Sequence, residues 1–205
     1  MKSDKSSTQS NRRAPRRWLV LLPHRDSLKQ VQDCKSRAWV HGLPGFRSLP
    51  PLVYIASVPA PLPHSILKLL ASDIRRQSSS AHSGGWIQSS EAVIRHIPGF
   101  PPLAGLSLSV RLLQHNLSPE ILPWLTDPVV SGPSSFEITP FLVLGPLPSP
   151  AEAAQFQSLA SERLPLVKFR QAALANMAIV PLASSAPGYS YLWEIGKPSW
   201  MARHG

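Results

Sequence analysis

The chain has 205 residues, 43% of them hydrophobic and only 16% charged, with 23 prolines and a formal net charge of +10. That length points to one domain or two small ones, enough to bury a core without disulfides or metals. The proline density excludes a helical bundle or coiled coil. The single cysteine, Cys34, excludes a disulfide framework and any cysteine-based zinc cluster. No apolar run is long enough for a transmembrane helix, so no membrane partner is expected and a reducing, cytoplasmic setting is the simplest expectation.

The charge is unevenly placed. Residues 1–17 carry six Lys/Arg against one Asp, a net +5 and half the total. The stretch 112–162 has no Lys or Arg and carries Glu120, Asp127, Glu137, Glu152 and Glu162. The expected organisation is a disordered basic tail over 1–17 and an ordered body over 18–205. The tail's composition also suits an organelle transit peptide, which leaves targeting open.

Trp18–Leu22 is a continuous apolar run and reads as a buried strand. Asp26 or Ser27 is placed to cap a helix over about 27–41, with Leu28, Val31, the stem of Lys35 and Ala38/Trp39 as its inner stripe and Gly42 as its stop. Leu52–Val58 reads as a second strand. Pro63 opens a helix to about residue 76 with Ile66, Leu67, Leu70 and Ile74 on one side. Residues 77–85 form a polar connection. Trp86–Ile97 and Leu103–Leu113 flank a PGFPP turn and predict a hairpin; in the second strand Leu106, Leu108, Val110 and Leu112 share one face. Ser118-Pro119-Glu120 opens a short helix limited by Pro123. Phe136–Leu144 is another strand. Ser149-Pro150-Ala151-Glu152 is a capping box that starts a helix to about Arg163. Leu166–Val180 and Tyr189–Ile195 are the last strands, the latter with Tyr189, Tyr191, Trp193 and Ile195 on one face. The fold class this predicts is α+β.

A shift of 89 residues aligns two segments without gaps: 51–61 (PLVYIASVPAP) falls on 140–150 (PFLVLGPLPSP), and 70–73 (LASD) falls on 159–162 (LASE). In both, an apolar strand leads through Pro-x-Pro into a helix, which predicts a duplicated unit and two pseudo-symmetric strand–helix lobes.

WLVLLP with the helix after it, GFRSLPPLVYIASVPAPLP, FEITPFLVLGPLPSP and the closing YSYLWEIG resemble the layout of the 2H phosphoesterase superfamily, the RNA 2′,3′-cyclic phosphodiesterase or 2′-5′ RNA ligase-like proteins, over about residues 18–196. The resemblance implies two lobes around a cleft, each contributing a His-x-Thr/Ser motif. One His would take a proton from the nucleophile and the other would protonate the leaving oxygen. The chain departs from the family at this point. Its histidines, at 24, 41, 64, 82, 96, 115 and 204, are never followed two residues later by Thr or Ser. The nearest matches, Leu52–Ile55 and Glu137–Pro140, contain none. The expectation is therefore a catalytically degenerate protein that binds RNA or a nucleotide phosphate in the inter-lobe cleft, without cofactor or metal. The alternatives are an active phosphodiesterase with non-standard residues and a protein-interaction module using the charge-poor 112–162 region.

Candidate site residues follow from this. Glu137 and Thr139 alternate onto one strand face, where Glu137 could serve as a base and Thr139 match a family hydroxyl; the plain alternative is a solvent-facing strand edge. Tyr54 could stack a base or donate to phosphate, or be a buried strand tyrosine. Arg12, Arg13, Arg16 and Arg17, with Lys2 and Lys5, are placed to contact phosphates, and Arg25, Arg47, Arg75 and Arg76 could extend that patch. His96, beside Arg95, reads as a strand-end residue or a ligand contact, and His64 and His82 do not read as catalytic. Cys34 lies near Lys35 and Arg37, which would lower its pKa, but the helical pattern also fits an inert thiol. The six tryptophans are core anchors or stacking platforms. No Walker loop, Rossmann glycine fingerprint, HExxH or Gly-x-Ser-x-Gly occurs.

Overall fold

The first strand starts earlier than its apolar run. In the computed structural model, β1 spans Arg16–Pro23, so Arg16 and Arg17 belong to the sheet and not to the tail. The residues described are 16–79, 87–109, 112–126, 137–163, 167–169, 172–181, 191–196 and 199–200. β1 passes directly into α1 (Arg25–Val40). His24, extended at ψ 161°, is its N-cap, and its side chain makes no capping hydrogen bond. The expected caps Asp26 and Ser27 therefore lie inside the first turn. The helix stops where expected, with Gly42 at φ 85°, a conformation that costs glycine little.

A 3₁₀ helix, Pro44–Arg47, leads to β2 (Leu52–Ser57) and α2 (His64–Ser79). β3 (Ile87–Arg95) and β4 (Leu103–Leu108) form the predicted hairpin. The expected long second strand ends at Leu108. Leu112–Leu113 is a separate short strand, β5, and Val110 and Arg111 lie outside the described residues. The short α-helix expected at Ser118 is instead a turn followed by a 3₁₀ helix, Leu122–Trp124, because Pro119 and Pro123 leave no room for consecutive α-helical bonds.

The strand expected over Phe136–Leu144 is broken. β6 (Glu137–Ile138) pairs with β5, whereas β7 (Phe141–Pro146) enters the main sheet. Pro140, which has no N–H for a ladder, sits at the break. α3 (Pro150–Arg163) follows, then β8 (Lys168–Phe169), β9 (Ala172–Pro181), β10 (Tyr191–Ile195) and β11 (Ser199–Trp200). Both halves of the α3 capping box form. The Glu152 carboxylate accepts from the Ser149 amide at 3.0 Å and hydroxyl at 2.9 Å, and the Ser149 hydroxyl accepts from the Glu152 amide at 3.3 Å.

The architecture is α+β, with three α-helices among the described residues and one large sheet in the order β10-β9-β1-β2-β7-β4-β3-β8, β11 pairing with β9. Every ladder among the described residues is antiparallel. The central strands are buried on both faces, which is why they read as unbroken apolar runs. On one face Leu19, Leu21, Val53, Ile55, Leu142 and Leu144 pack under Val31, Cys34 and Ala38 of α1, Leu67 and Leu70 of α2 and Phe156 of α3. On the other face Trp18, Val20, Leu52, Tyr54, Phe141, Val143 and Met177 form a second core to which no helix of the described residues contributes.

In the centre, β2 pairs β7 with Val53 opposite Leu142. These two residues are also matched by the 89-residue shift. The 3₁₀ helix presses directly on β7: a Cβ on Gly145 would lie 2.6 Å from Phe46 Cα, and one on Gly45 would strike the Pro146 carbonyl. Two glycines at one crossing let backbone meet backbone and seat Phe46 in the core against Phe156. Elsewhere α2 holds the segment after β5: the Asp73 carboxylate accepts from the Ser118 amide at 2.7 Å and pairs with Arg76, and Gln77 accepts from the Leu113 amide at 2.7 Å.

Candidate functional site

The alternation of β2 and β7 puts Leu52, Tyr54, Phe141 and Val143 on the helix-free face. Rings close it. Trp18 meets Tyr54 edge-on at 5.4 Å and Phe100 at 4.7 Å; Tyr54 meets Phe141 at 5.7 Å; Phe100 stacks on Tyr191 at 5.7 Å. Burial pushes the Tyr191 phenol up to about 12. Tyr54 is 0% exposed, and its hydroxyl lies 3.0 Å from the Ser57 hydroxyl. The reading of Tyr54 as a platform for a base gives way to the buried strand tyrosine: no face of its ring is open.

Glu137 and Thr139, both half-buried, do not share one strand face. Glu137 sits in β6 opposite Leu113, and Thr139 lies in the two-residue link before β7. Arg16 opens β1 with its guanidinium carbon 5.6 Å from the Phe100 ring centroid, a cation–π contact that ties it to the turn after β3. Arg17 pairs with Ala178, and its carbonyl accepts from the Val58 amide. Arg12, Arg13, Lys2, Lys5, His82 and Tyr189 lie outside the described residues. His41, His64, His96 and His115 are exposed and belong to separate elements. Among the described residues no three His, Cys, Asp or Glu side chains gather as a metal site would require, and no helix is long and apolar enough to cross a membrane. Cys34 is fully buried, and burial pushes its thiol up to about 11 against the lowering pull of Lys35 and Arg37. It is the inert thiol of the two readings.

Polar chemistry collects elsewhere. A pocket of about 620 Å³ lies between α1, the Pro44–Arg47 helix and β10. α1 contributes Gln32, Asp33, Lys35 and Ser36; the 3₁₀ helix contributes Phe46 and Arg47; the following loop adds Leu49, Pro50 and Pro51; β10 adds Trp193. Gln32 and Ser36 are one turn apart on α1, so their side chains meet on one face. Arg47 lies over the Trp39 ring with its guanidinium carbon 3.4 Å from the centroid. Trp193 is 46% exposed.

Lys35 forms the pocket's floor and donates from Nζ to the Leu144 carbonyl. The ladder explains that bond. β4 pairs Ala104 with Gly145 and Gly105 with Val143, skipping Leu144. Continuing the β2 register would put Pro51, which has no N–H, opposite Leu144. The ammonium supplies the missing donor, and burial pulls its pKa down from 10.5 to about 7.

The sequence reading placed Arg47 in a basic patch and the Lys35 stem inside, but did not join them to Asp33, Ser36 and Trp193. The available signal was a lysine at an apolar position of the α1 stripe. No protein-family model matches this chain, and no curated protein matches it.

Proposed function

We propose that this protein is a two-lobed 2H-like fold without phosphoesterase chemistry, acting in the cytoplasm as a binder of RNA or a nucleotide phosphate. The observation that carries the non-catalytic half is the helix-free face of β2 and β7. A 2H site needs two imidazoles with hydroxyls two residues on; no His of this chain has that neighbour, and the strand matching the first motif presents Leu52 and Tyr54 to this face, packed with Phe141 and Val143 under Trp18 and Phe100. The two-lobe reading draws on the antiparallel pairing of the repeated strands about Val53 and Leu142, as a local twofold axis requires. It also draws on the shared order strand–helix–strand in β2–α2–β3 and β7–α3–β9, the latter with the short β8 inserted.

The binding half rests on the +10 charge and on the basic segment that runs into β1. Charge of this kind neutralises phosphates and makes affinity fall with salt, by about 0.7 in log–log slope per phosphate contact on a single strand. A second reading, a protein-docking surface on 112–162, is favoured by Leu113 and Leu122, which are exposed in that segment.

The test uses nuclease-free protein and a short RNA ending in a 2′,3′-cyclic phosphate. The expected result is no hydrolysis at high protein concentration, with binding that weakens steeply as salt rises. Hydrolysis abolished by Glu137→Gln or Thr139→Ala would overturn the non-catalytic half. Absence of binding at low salt would overturn the binding half and leave the protein-docking reading.

A further inference from the structure

The pocket above α1 is where flat, polar and anionic recognition meet on this surface. Its volume of about 620 Å³ is that of a small-ligand site. Trp193, 46% exposed, lines one wall. Arg47 supplies a cation that is already oriented, because its guanidinium lies on the Trp39 ring and makes no ion pair among the described residues. Ser36 and Asp33 present a hydroxyl and a carboxylate from one stretch of α1. The hydroxyl can donate or accept, and the carboxylate accepts only. Pro50 and Pro51 make a rigid apolar wall.

We propose that this pocket is a nucleotide subsite, in which Trp193 stacks the base, Arg47 takes the phosphate, and Asp33 and Ser36 accept from the ribose hydroxyls or the base amino group. The inference rests on the RNA- or nucleotide-binding reading and deepens it by naming a site outside the β2–β7 face. Each part of the ligand has its own partner. An inorganic phosphate would use Arg47 and leave the indole idle. A nucleoside would use Trp193 and Asp33 and leave Arg47 idle. A nucleoside monophosphate uses all of them. Every base has a π face, so the site discriminates weakly among bases.

The experiment titrates the full chain with uridine monophosphate, adenosine monophosphate, adenosine and inorganic phosphate, read by calorimetry and by quenching of tryptophan fluorescence. A single-stranded RNA is titrated in parallel. Both monophosphates are expected to bind more tightly than adenosine or phosphate. Trp193→Ala should weaken both by about tenfold or more, the scale of one base stack. Arg47→Gln should weaken the monophosphates toward the affinity of adenosine and leave adenosine unchanged. Both side chains are exposed, and unchanged thermal unfolding would certify that the variants are folded. Monophosphates that bind no better than phosphate, or that bind Trp193→Ala equally well, would overturn the subsite. If RNA still binds in a salt-dependent way when the monophosphates do not, the subsite fails and the broader reading stands. If neither binds, both fail.

Discussion

Trp18 on β1 and Trp193 on β10 are separated in the sheet by a single strand, β9. Trp18 is fully buried among Tyr54, Phe100 and Phe141. Trp193 stands nearly half exposed on the wall of a polar pocket. Around Trp18 the helix-free face uses its aromatics to exclude water. The pocket over α1 keeps an indole, a guanidinium and a carboxylate at the surface. A resemblance to a catalytic family directs attention to the first region, whereas the proposed nucleotide subsite lies in the second.

The largest effect that would break this contrast is expected at Trp18. Truncation to alanine removes the hub of the ring cluster and leaves a cavity between β1 and Phe100, costing about 3–5 kcal/mol. Chemical denaturation checks it. A loss under 1 kcal/mol would mean that the face is loosely filled and able to open.

Lys35 gives the next effect, and it is a pH effect. Its folded pKa of about 7 lies below the ordinary 10.5. Between those values the unfolded chain holds a proton that the folded chain has released, so stability rises with pH by about 1.4 kcal/mol per unit. Below pH 7 both states are protonated and the burial cost is paid in full. Cys34 opposes the rise: the unfolded thiol ionises above its ordinary 9.0 while the folded one waits until about 11, so stability falls across that window. The net expectation is a climb from pH 7 to 9 that flattens above 9. Lys35→Met should abolish the climb, as urea unfolding at each pH would show. A climb that survives the substitution would locate the buried titration elsewhere and remove Lys35 from the pocket floor.

Gly145→Ala comes third. Its methyl would fall against the Phe46 backbone, where neither partner is the flexible end of a side chain, and about 1–3 kcal/mol of overpacking is expected. Gly196→Ala is the control: its nearest neighbour, the Asn176 carbonyl, would be 3.5 Å away, an ordinary contact. Equal losses in the two variants would mean that intrinsic glycine effects, not the crossing of the 3₁₀ helix over β7, decide both.

How much of this was legible in the sequence follows from how far apart the partners lie. The capping box of α3 and the stop at Gly42 are local, and both were readable within four residues. Pro140 was also local: a proline without an N–H does not continue a central strand, and reading one strand through it wrongly joined Glu137 to Thr139. The two prolines around Ile121 carried the same warning against a helix. The role of Lys35 was not legible. It depends on a skipped residue in a ladder more than a hundred positions away, and register is set by tertiary pairing. The pocket joins α1 to β10 across almost the whole chain, and no periodicity encodes such a meeting.

The smallest expected effect sharpens the comparison most. Trp193→Ala should shift unfolding by no more than about 0.5 kcal/mol, because an exposed side chain on the outer strand β10 leaves no cavity. A loss of 2 kcal/mol or more would show that the indole props β10 against Pro50 and Pro51. Trp193 would then be a second version of Trp18, and the pocket wall would be structure. A neutral variant that has lost nucleotide binding would separate the two tryptophans by what each one does.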